Sequence, residues 1–368
     1  MQESTPISLT EVSTDASLPA PPRLRLEFLD GLRGLAALYV VLYHAYQLTT
    51  FDDSRIDAAL VWRIGHPAVA VFIVLSGFCL TLPIVRSGSK SLRGGPREYF
   101  KRRAWRILPP YYAALVLSAL FLVMAHAAKY RTGFALHDKV LGLHLSPGSL
   151  LSHLFLVHNL DHVWIETIDV PMWSVATEWQ IYFFLPALLL PVWRRFGALA
   201  AVVAGFAAGL LPHYLLPPGR NFDGACPWYL GLFALGMGGA ILAFSPRLQA
   251  SWRERLPWGG LAAVLFLLLG ALIVFVPDAL ISGYVWQTDA LAGAAALCLI
   301  LHGTALVTAP HARSATLAAL EARPTLWLGA FSYSLYLVHY PILNKVAQLL
   351  DARHLPLGER MAIIYLFG

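Results

Sequence analysis

Charged side chains are scarce in this sequence of 368 residues, in which Asp, Glu, Lys and Arg together make up 13%. A soluble globular protein carries roughly 25% of these residues. Hydrophobic residues make up 58% of the chain, and its mean hydropathy is +0.61. A water-soluble protein is therefore excluded, because so few charged groups cannot cover an aqueous surface of this size.

Cysteine is also rare, and the few cysteines present are far apart. Cys79, Cys226 and Cys298 each lie in or beside an apolar run. Their number and spacing argue against a disulfide framework and predict buried thiols that pack as small hydrophobes. The sequence has no glycine-rich phosphate loop, no H-E-x-x-H motif and no Cys/His cluster with metal-ligand spacing. We therefore expect no bound metal and no bound cofactor.

The N-terminal segment lacks the features of a cleaved signal peptide, since no basic stretch precedes a short apolar core and a small-residue cleavage site. Its composition is polar and rich in Ser, Thr and Pro. We predict a disordered cytoplasmic tail over residues 1–25, followed by one multi-helix membrane domain over residues 26–368.

Long apolar runs dominate the remainder of the chain. Runs of about 17–25 apolar residues have the length that crosses a bilayer. They are continuous rather than alternating, which argues against a closed β-barrel. We predict an all-α integral membrane protein with about ten transmembrane helices. These helices are placed near residues 29–49, 66–85, 108–127, 173–193, 197–216, 227–244, 258–276, 289–308, 326–349 and 360 onward.

Two segments do not have the length of a full span. The run RMAIIYLFG at residues 360–368 is too short, so the last helix is expected to be incomplete. The segment SLLSHLFLVHNL at residues 149–160 is short and contains histidines. It is expected to lie in the interface or to re-enter the membrane.

The net charge of +6 is distributed unevenly between the loops. Most lysines and arginines fall in alternate loops that share a side with the N-terminus, and many of them lie between Arg86 and Arg106. This distribution follows the positive-inside rule, so the N-terminus is predicted to be cytoplasmic. The rule accounts for the basic charge better than nucleic-acid binding does.

Two polar residues interrupt the apolar run LEFLDGLRGLAALYVVLYHAY at residues 26–46. Arg33 and His44 are eleven residues apart, so they lie on one face of a helix, roughly 16 Å apart along its axis. Such residues are costly in lipid and usually face a bundle interior or a water-filled cavity. A structural pair, with a snorkelling arginine and a packed histidine, remains an alternative.

Counting residues from the predicted membrane surfaces places three titratable groups at a similar depth. His44 and His339 enter from one side, and Glu178 enters from the other. His44 and His339 are the candidate partners of Glu178, and a salt bridge that serves packing alone is the alternative. Ser332, Tyr336 and His339 share one helix face, as either a substrate-facing stripe or an internal network.

The segment KRRAWRILPPYY at residues 101–112 ends a dense basic patch. Arg103 and Arg106 have i,i+3 spacing on one helix face, and Arg102 lies beside them. Guanidinium forks suit phosphate groups. A loop that sets topology and binds lipid headgroups is the alternative, and charge alone favours it.

Six segments, taken in order, resemble the membrane acyltransferase family 3. They are LDGLRGLAALYVVLYHA, VFIVLSGF, the R-x-x-R of residues 103–106, WSVATEWQIYFFLP, WYLGLFALGMGGA and SYSLYLVHYPI. The resemblance covers residues 26 to about 350. It implies about ten membrane helices and transfer of an acyl group, often acetyl, from acyl-CoA to a hydroxyl of a glycan or small molecule.

The resemblance also implies roles for individual residues. His44 is the expected general base, Arg33 is expected to be essential, and Glu178, a further candidate catalytic residue, falls where the family has a glutamate. Arg103 and Arg106 are expected to hold the CoA donor, with Arg102 beside them as a third donor-binding candidate. The expected setting is a bacterial inner membrane. The hydrolase-like C-terminal domain of some members is not expected in this chain, which ends at residue 368.

Two further classes of function remain open. In a proton-coupled transporter or flippase for a sugar or lipid, Arg33, His44 and Glu178 would form a proton relay. Such a protein would not consume acyl-CoA. A structural or regulatory membrane protein has less support, because it leaves the similar depth of the titratable groups unexplained.

Overall fold

The computed structural model describes residues 25–49, 62–132, 145–244, 256–308 and 314–351, with positions 359 and 363. These residues form ten helices of eight residues or more, and they contain no β-strand. The helices are α1 Phe28–Thr49, α2 His66–Arg86, α3 Gly95–Thr132, α4 Pro147–Leu154, α5 Met172–Phe196, α6 Ala198–Leu215, α7 Tyr229–Phe244, α8 Trp258–Phe275, α9 Val285–Thr308 and α10 Arg323–Asp351.

Seven of the described helical stretches are long and apolar enough to cross a membrane, and they contain α2, α3 and α5 to α9. Helices α1 and α10 have 22 and 29 residues and match two further predicted segments. The predicted all-α integral membrane fold is confirmed. The predicted tail over residues 1–25 and the segment from residue 360 onward lie outside the described residues, apart from Arg25 and Ile363.

Helix α3 begins earlier than its apolar run predicted. It begins at Gly95 instead of residue 108, so the basic residues from Arg97 onward are helical and continuous with the apolar part. Pro96 suits the first turn of a helix, and Glu98 lies in the same turn, where a carboxylate stabilises the helix dipole. The patch is therefore held rigidly on a helix that also packs in the bundle.

The described part of the segment between α3 and α5, residues 145–171, packs on the bundle without spanning it. Helix α4 begins with a capping box between Ser146 and Ser149 and has only eight residues, about 12 Å of helix. Tyr111 of α3 donates a hydrogen bond to the His153 carbonyl at 2.9 Å. This agrees with the expectation that the segment at residues 149–160 is too short to span the membrane.

Close backbone contacts between helices set the positions of the candidate site. Helix α1 packs along α10, and α2 packs along α7. A methyl group at Gly34 would clash with the backbone of Gly329, and one at Gly77 would clash with the carbonyl of Phe233. Small residues therefore allow these helices to approach at backbone distance, as in many membrane bundles.

Candidate active site

A polar cavity lies between α1, α2, α3, α5 and α10, and it is called the arginine cavity below. Its polar lining consists of Arg33, Ser76, Arg106, Ser174, Glu178, Tyr182, Ser332, Tyr333 and Tyr336. Arg33 is about 8 Å along α1 from its first residue, so the cavity lies toward the end of the bundle where α1 begins. Apolar residues of α2, α3 and α5 complete its wall.

Arg33 faces this cavity and does not extend to the membrane surface as an isolated side chain. Its guanidinium donates to Asp30 Oδ1 at 2.8 Å, and its side chain is 18% exposed. Cys79 Sγ lies 3.9 Å from the same guanidinium. The arginine is thus held in place from two helices, with its remaining N–H groups available to a ligand.

Glu178 has different partners from those expected. Its Oε1 accepts hydrogen bonds from the hydroxyl of Ser76 and from the hydroxyl of Tyr182, the latter at 2.5 Å. The prediction that Glu178 pairs with His44 or His339 is wrong. The reason is that α5 begins inside the bundle, which carries Glu178 past the histidines to the arginine cavity.

The depth of the α5 N-terminus is visible in its contacts with α10. Tyr336, in the middle of α10, bonds Ser174 Oγ at 2.6 Å and the carbonyl of Pro171 at 3.4 Å. Residues at the start of α5 therefore lie level with the middle of α10. The sequence-based count assumed that residue 173 lies at the membrane surface, and it therefore predicted the wrong depth for Glu178.

The two predicted histidines meet directly. His44 Nδ1 lies 2.9 Å from His339 Nε2, and both side chains are buried. His339 Nδ1 lies 2.7 Å from the carbonyl oxygen of Tyr336. A carbonyl oxygen can only accept, so His339 Nδ1 carries a proton, and the Nε2 of the neutral ring is an acceptor. His44 Nδ1 is then the donor, and His44 Nε2 keeps its lone pair.

The histidine pair lies beside the arginine cavity and is not part of its lining. The Tyr336 ring is 5.8 Å from the His339 ring and lines the cavity on its other side. The rings of Tyr43 and Tyr340 pack at 4.7 and 5.1 Å from His44. The predicted face of α10 is thus divided, because Ser332 and Tyr336 face the cavity, whereas His339 binds His44.

The three predicted donor-binding arginines occupy different environments. Arg106 lines the arginine cavity and is exposed. Arg103, one turn earlier on α3, is half-buried. Arg102 is turned away, because it donates to the carbonyl of Arg93 at 2.8 Å and lies 3.9 Å from Glu98. The geometry therefore places only Arg106 at the cavity, and a donor-binding role remains a prediction for all three.

A second cavity lies near the opposite end of the bundle, and it is called the tryptophan cavity below. Its lining consists of His66, Ile165, Glu166, Trp173, His213, Asp223, Gly224, Cys226, Trp228, Ser282, Gly283, Val285 and Trp286. The Trp173 ring stacks on His66 at 5.3 Å, and His213 bonds Asp223 at 2.9 Å. Sequence reasoning missed this site because its residues come from the ends of separate helices, with no shared spacing.

One group of the described residues could hold a metal ion. The ligand atoms of His66, Cys226 and Asp289 all lie within 4.8 Å of one another. Trp228 Nε1 donates to Asp289 Oδ2 at 2.9 Å, and Asp289 Oδ1 is buried without a partner. These residues lie far apart in the sequence, so metal-ligand spacing gave no signal for the group. A metal was not expected, and that expectation remains a prediction.

Buried titratable groups also occur in the segment before α5. Burial raises the pKa of Asp169 to about 8, and Ser118 donates to its Oδ2 at 2.9 Å. The His153 and His158 rings stack at 3.8 Å, and burial lowers the pKa of His153 to about 4. Both rings are thus held neutral at physiological pH.

The fold and its buried polar centre define a multi-pass helical membrane protein with a site between its helices. Residues 26–368 match the family described as an acyltransferase domain, acyltransferase family 3. The chain belongs to this family, which confirms the resemblance found in the sequence. No solved structure matches the chain.

Several curated relatives are acyltransferases by name. The chain is 25% identical over 346 residues to the peptidoglycan O-acetyltransferase OatA of Listeria monocytogenes, covering 88% of this chain and 50% of that protein. It is 29% identical over 178 residues to the acyltransferase MdmB of Streptomyces mycarofaciens, covering 48% of this chain and 44% of that protein. The chain spans about half the length of the curated relatives it matches.

Proposed function

We propose that this protein is an integral membrane O-acyltransferase that moves an acyl group, acetyl in the first instance, from acyl-CoA to a glycan hydroxyl. The observation that carries the proposal is the contact between two buried histidines, in which His44 Nδ1 lies 2.9 Å from His339 Nε2. With His339 Nδ1 bound to the Tyr336 carbonyl, the proton of this contact is assigned to His44 Nδ1, which leaves His44 Nε2 free to accept a proton. The name of the Listeria relative supports acetyl transfer to a glycan.

The donor binds from the cytoplasmic side in this proposal. Exposed Arg106 meets the CoA phosphates at the mouth of the arginine cavity, because a guanidinium fork matches phosphate geometry. Arg103 and Arg102 add positive charge on the same helix and attract the donor. Arg33 lies deeper and positions the pantetheine arm, which carries the thioester toward Tyr336 and the histidine pair.

The transfer step is general-base catalysis. His44 Nε2 removes the proton of the acceptor hydroxyl, and the hydroxyl oxygen attacks the thioester carbonyl. The carbon–oxygen ester bond forms, the carbon–sulfur bond breaks, and the CoA thiolate recovers the proton from His44. Tyr336 separates the cavity from the pair, so the thioester reaches His44 when this side chain leaves Ser174. Glu178 holds Ser76 and Tyr182 in the cavity wall, and its carboxylate balances nearby arginine charge.

The setting of the reaction is a bacterial cell membrane, as the bacterial sources of the relatives suggest. Acyl-CoA serves as co-substrate, with no bound cofactor, and nucleic acid has no part.

The test uses membranes that contain the parent or the His44→Ala variant, with acetyl-CoA labelled in the acetyl group and a crude glycan fraction. We expect label in glycan with the parent only. Equal label with both proteins would remove His44 from the chemistry. Indifference of the purified protein to CoA in a melting experiment, together with proton-driven sugar flux, would favour a transporter instead.

A further inference from the structure

The two cavities lie back to back on the same helices. On α2, His66 lines the tryptophan cavity, and Val69, less than one turn later, lines the arginine cavity. On α5, adjacent residues divide in the same way, because Trp173 faces the tryptophan cavity and Ser174 faces the arginine cavity. Only a thin layer of side chains therefore separates a site near one membrane face from a site near the other.

The tryptophan cavity carries the chemistry of a site for a hydroxyl-rich ring. The half-buried indoles of Trp173 and Trp286 offer apolar surface with fixed orientation. The carboxylates of Glu166 and Asp223 offer strong acceptors for hydroxyl groups. A few convergent polar groups among aromatic walls are typical of small-molecule sites.

The Glu166 carboxylate is held in an environment that favours ligand contact. It is half-buried, and burial raises the pKa of its carboxyl, while nearby His66 lowers it. A partly desolvated acceptor makes a stronger hydrogen bond with an incoming hydroxyl than an exposed carboxylate does.

The cavity also adjoins the proposed base. Tyr43, which packs on His44, contacts Gly65, the residue before His66. The Tyr43 ring therefore lies between His44 and the backbone beside the tryptophan cavity.

We propose that the tryptophan cavity binds a pyranose unit of the glycan acceptor. Its apolar C–H face lies on the indole surface of Trp286, and its hydroxyls donate to Glu166 and Asp223. The inference rests on the proposed function. It assigns the acceptor to the tryptophan cavity and the donor to the arginine cavity, so the reactants approach the histidine pair from opposite faces of the membrane.

The kinetic test compares two isosteric substitutions. Glu166→Gln removes a charged acceptor in the tryptophan cavity, and Glu321→Gln makes the same change at a half-buried position beside α10. With soluble peptidoglycan glycan strands as acceptor, Glu166→Gln should raise the acceptor KM about tenfold, the expected loss for a hydrogen bond to a charged group. The KM for acetyl-CoA should stay unchanged, and Glu321→Gln should match the parent.

The aromatic contact is tested in the same assay. Trp286→Ala should raise the acceptor KM, and Trp286→Phe should restore most of the affinity because it keeps an aromatic face. Unchanged acceptor KM values for Glu166→Gln and Trp286→Ala, or an equal rise in both KM values, would overturn the assignment. Acyl transfer itself would then still stand.

A binding measurement separates the inference from catalysis. Ser282→Cys introduces a thiol at the exposed edge of the tryptophan cavity, and Ser89→Cys introduces one at an exposed position just after α2. Glycan strands should slow maleimide labelling of the purified Ser282→Cys variant and leave that of Ser89→Cys unchanged. Equal rates with and without strands would refute the cavity assignment. If the parent transfers no acetyl group, the proposed function fails, while this measurement still decides the cavity.

Discussion

His44 and His339 form a hydrogen-bonded pair in which His339 Nε2 accepts the Nδ1 proton of His44 at 2.9 Å. The carbonyl of Tyr336 fixes the tautomer of His339, and His339 in turn fixes that of His44. A carboxylate commonly orients a catalytic histidine in this manner. Here the partner that orients His44 is a neutral imidazole, which adds no negative charge to a buried site.

The first prediction concerns His339 as a positioning residue. Its replacement by Leu removes the acceptor that orients His44, so kcat should fall about 100-fold, the usual scale for loss of an orienting partner. His339→Gln supplies an amide oxygen to the His44 N–H and should recover part of the loss. The KM for acetyl-CoA should be the same in both variants. Equal kcat values for His339→Leu and His339→Gln would show that His339 acts through packing alone.

The second prediction concerns Arg106 and the donor phosphates. Arg106→Ala should raise the KM for acetyl-CoA about tenfold, because a charge-assisted contact is lost. With acetyl-pantetheine, which lacks phosphates, the variant and the parent should have equal KM values. Arg97→Ala, at an exposed position earlier on α3, is the matched control. A similar penalty with both donors would mean that Arg106 does not contact phosphate.

The third prediction separates the structural and chemical contributions of Glu178. Glu178→Ala leaves the hydroxyls of Ser76 and Tyr182 without their acceptor and should destabilise the protein by roughly 1–3 kcal/mol. Glu178→Gln keeps a carbonyl oxygen at this position, so its melting temperature should stay close to that of the parent. Both variants should lose activity. Full activity of Glu178→Gln would show that the negative charge is not needed.

The fourth prediction is a pH dependence of stability that arises from Asp169. Burial raises the pKa of this carboxyl to about 8 in the folded protein. An unfolded aspartate titrates near pH 3.9. Folding favours the protonated form, so the stability from this group is present below about pH 3.9 and is lost as the pH rises through 8.

Asp169→Asn should remove that loss, because the amide is neutral and its oxygen can still accept the Ser118 hydrogen bond. The melting temperature gained by the variant should be at least about 3 °C greater at pH 8 than at pH 5. Asp161→Asn, at a half-buried position in the same segment, is the matched control. A constant difference across this pH range would contradict the assignment.

The helices and the common depth of the two histidines could be predicted from the sequence for one physical reason. Lipid requires continuous apolar runs, so residue counting gives depth along each helix. His44 and His339 lie on helices that begin at the same end of the bundle, and counting placed them level. Residue counting could not predict the hydrogen-bond partners of Glu178, because α5 begins inside the bundle and not at the membrane surface.

The tryptophan cavity was beyond sequence reasoning for a different reason. Its residues come from the connections after α1, α4, α6 and α8 and from the helix ends beside them, not from one periodic stripe. Glu166 and Asp223 lie in segments whose path depends on tertiary packing. No local pattern marks such residues as neighbours, although each is polar beside an apolar run.

The glycine contacts limit how the bundle can open. Backbone meets backbone at Gly34 and Gly329, and again at Gly77 and Phe233, so each helix pair is closely packed at these points. We therefore expect each pair to keep its packing when the bundle opens. Opening would then occur between the two pairs, with Arg33 on one side and Ser76 on the other. His44 and His339 belong to the same pair, so their hydrogen bond does not cross this boundary.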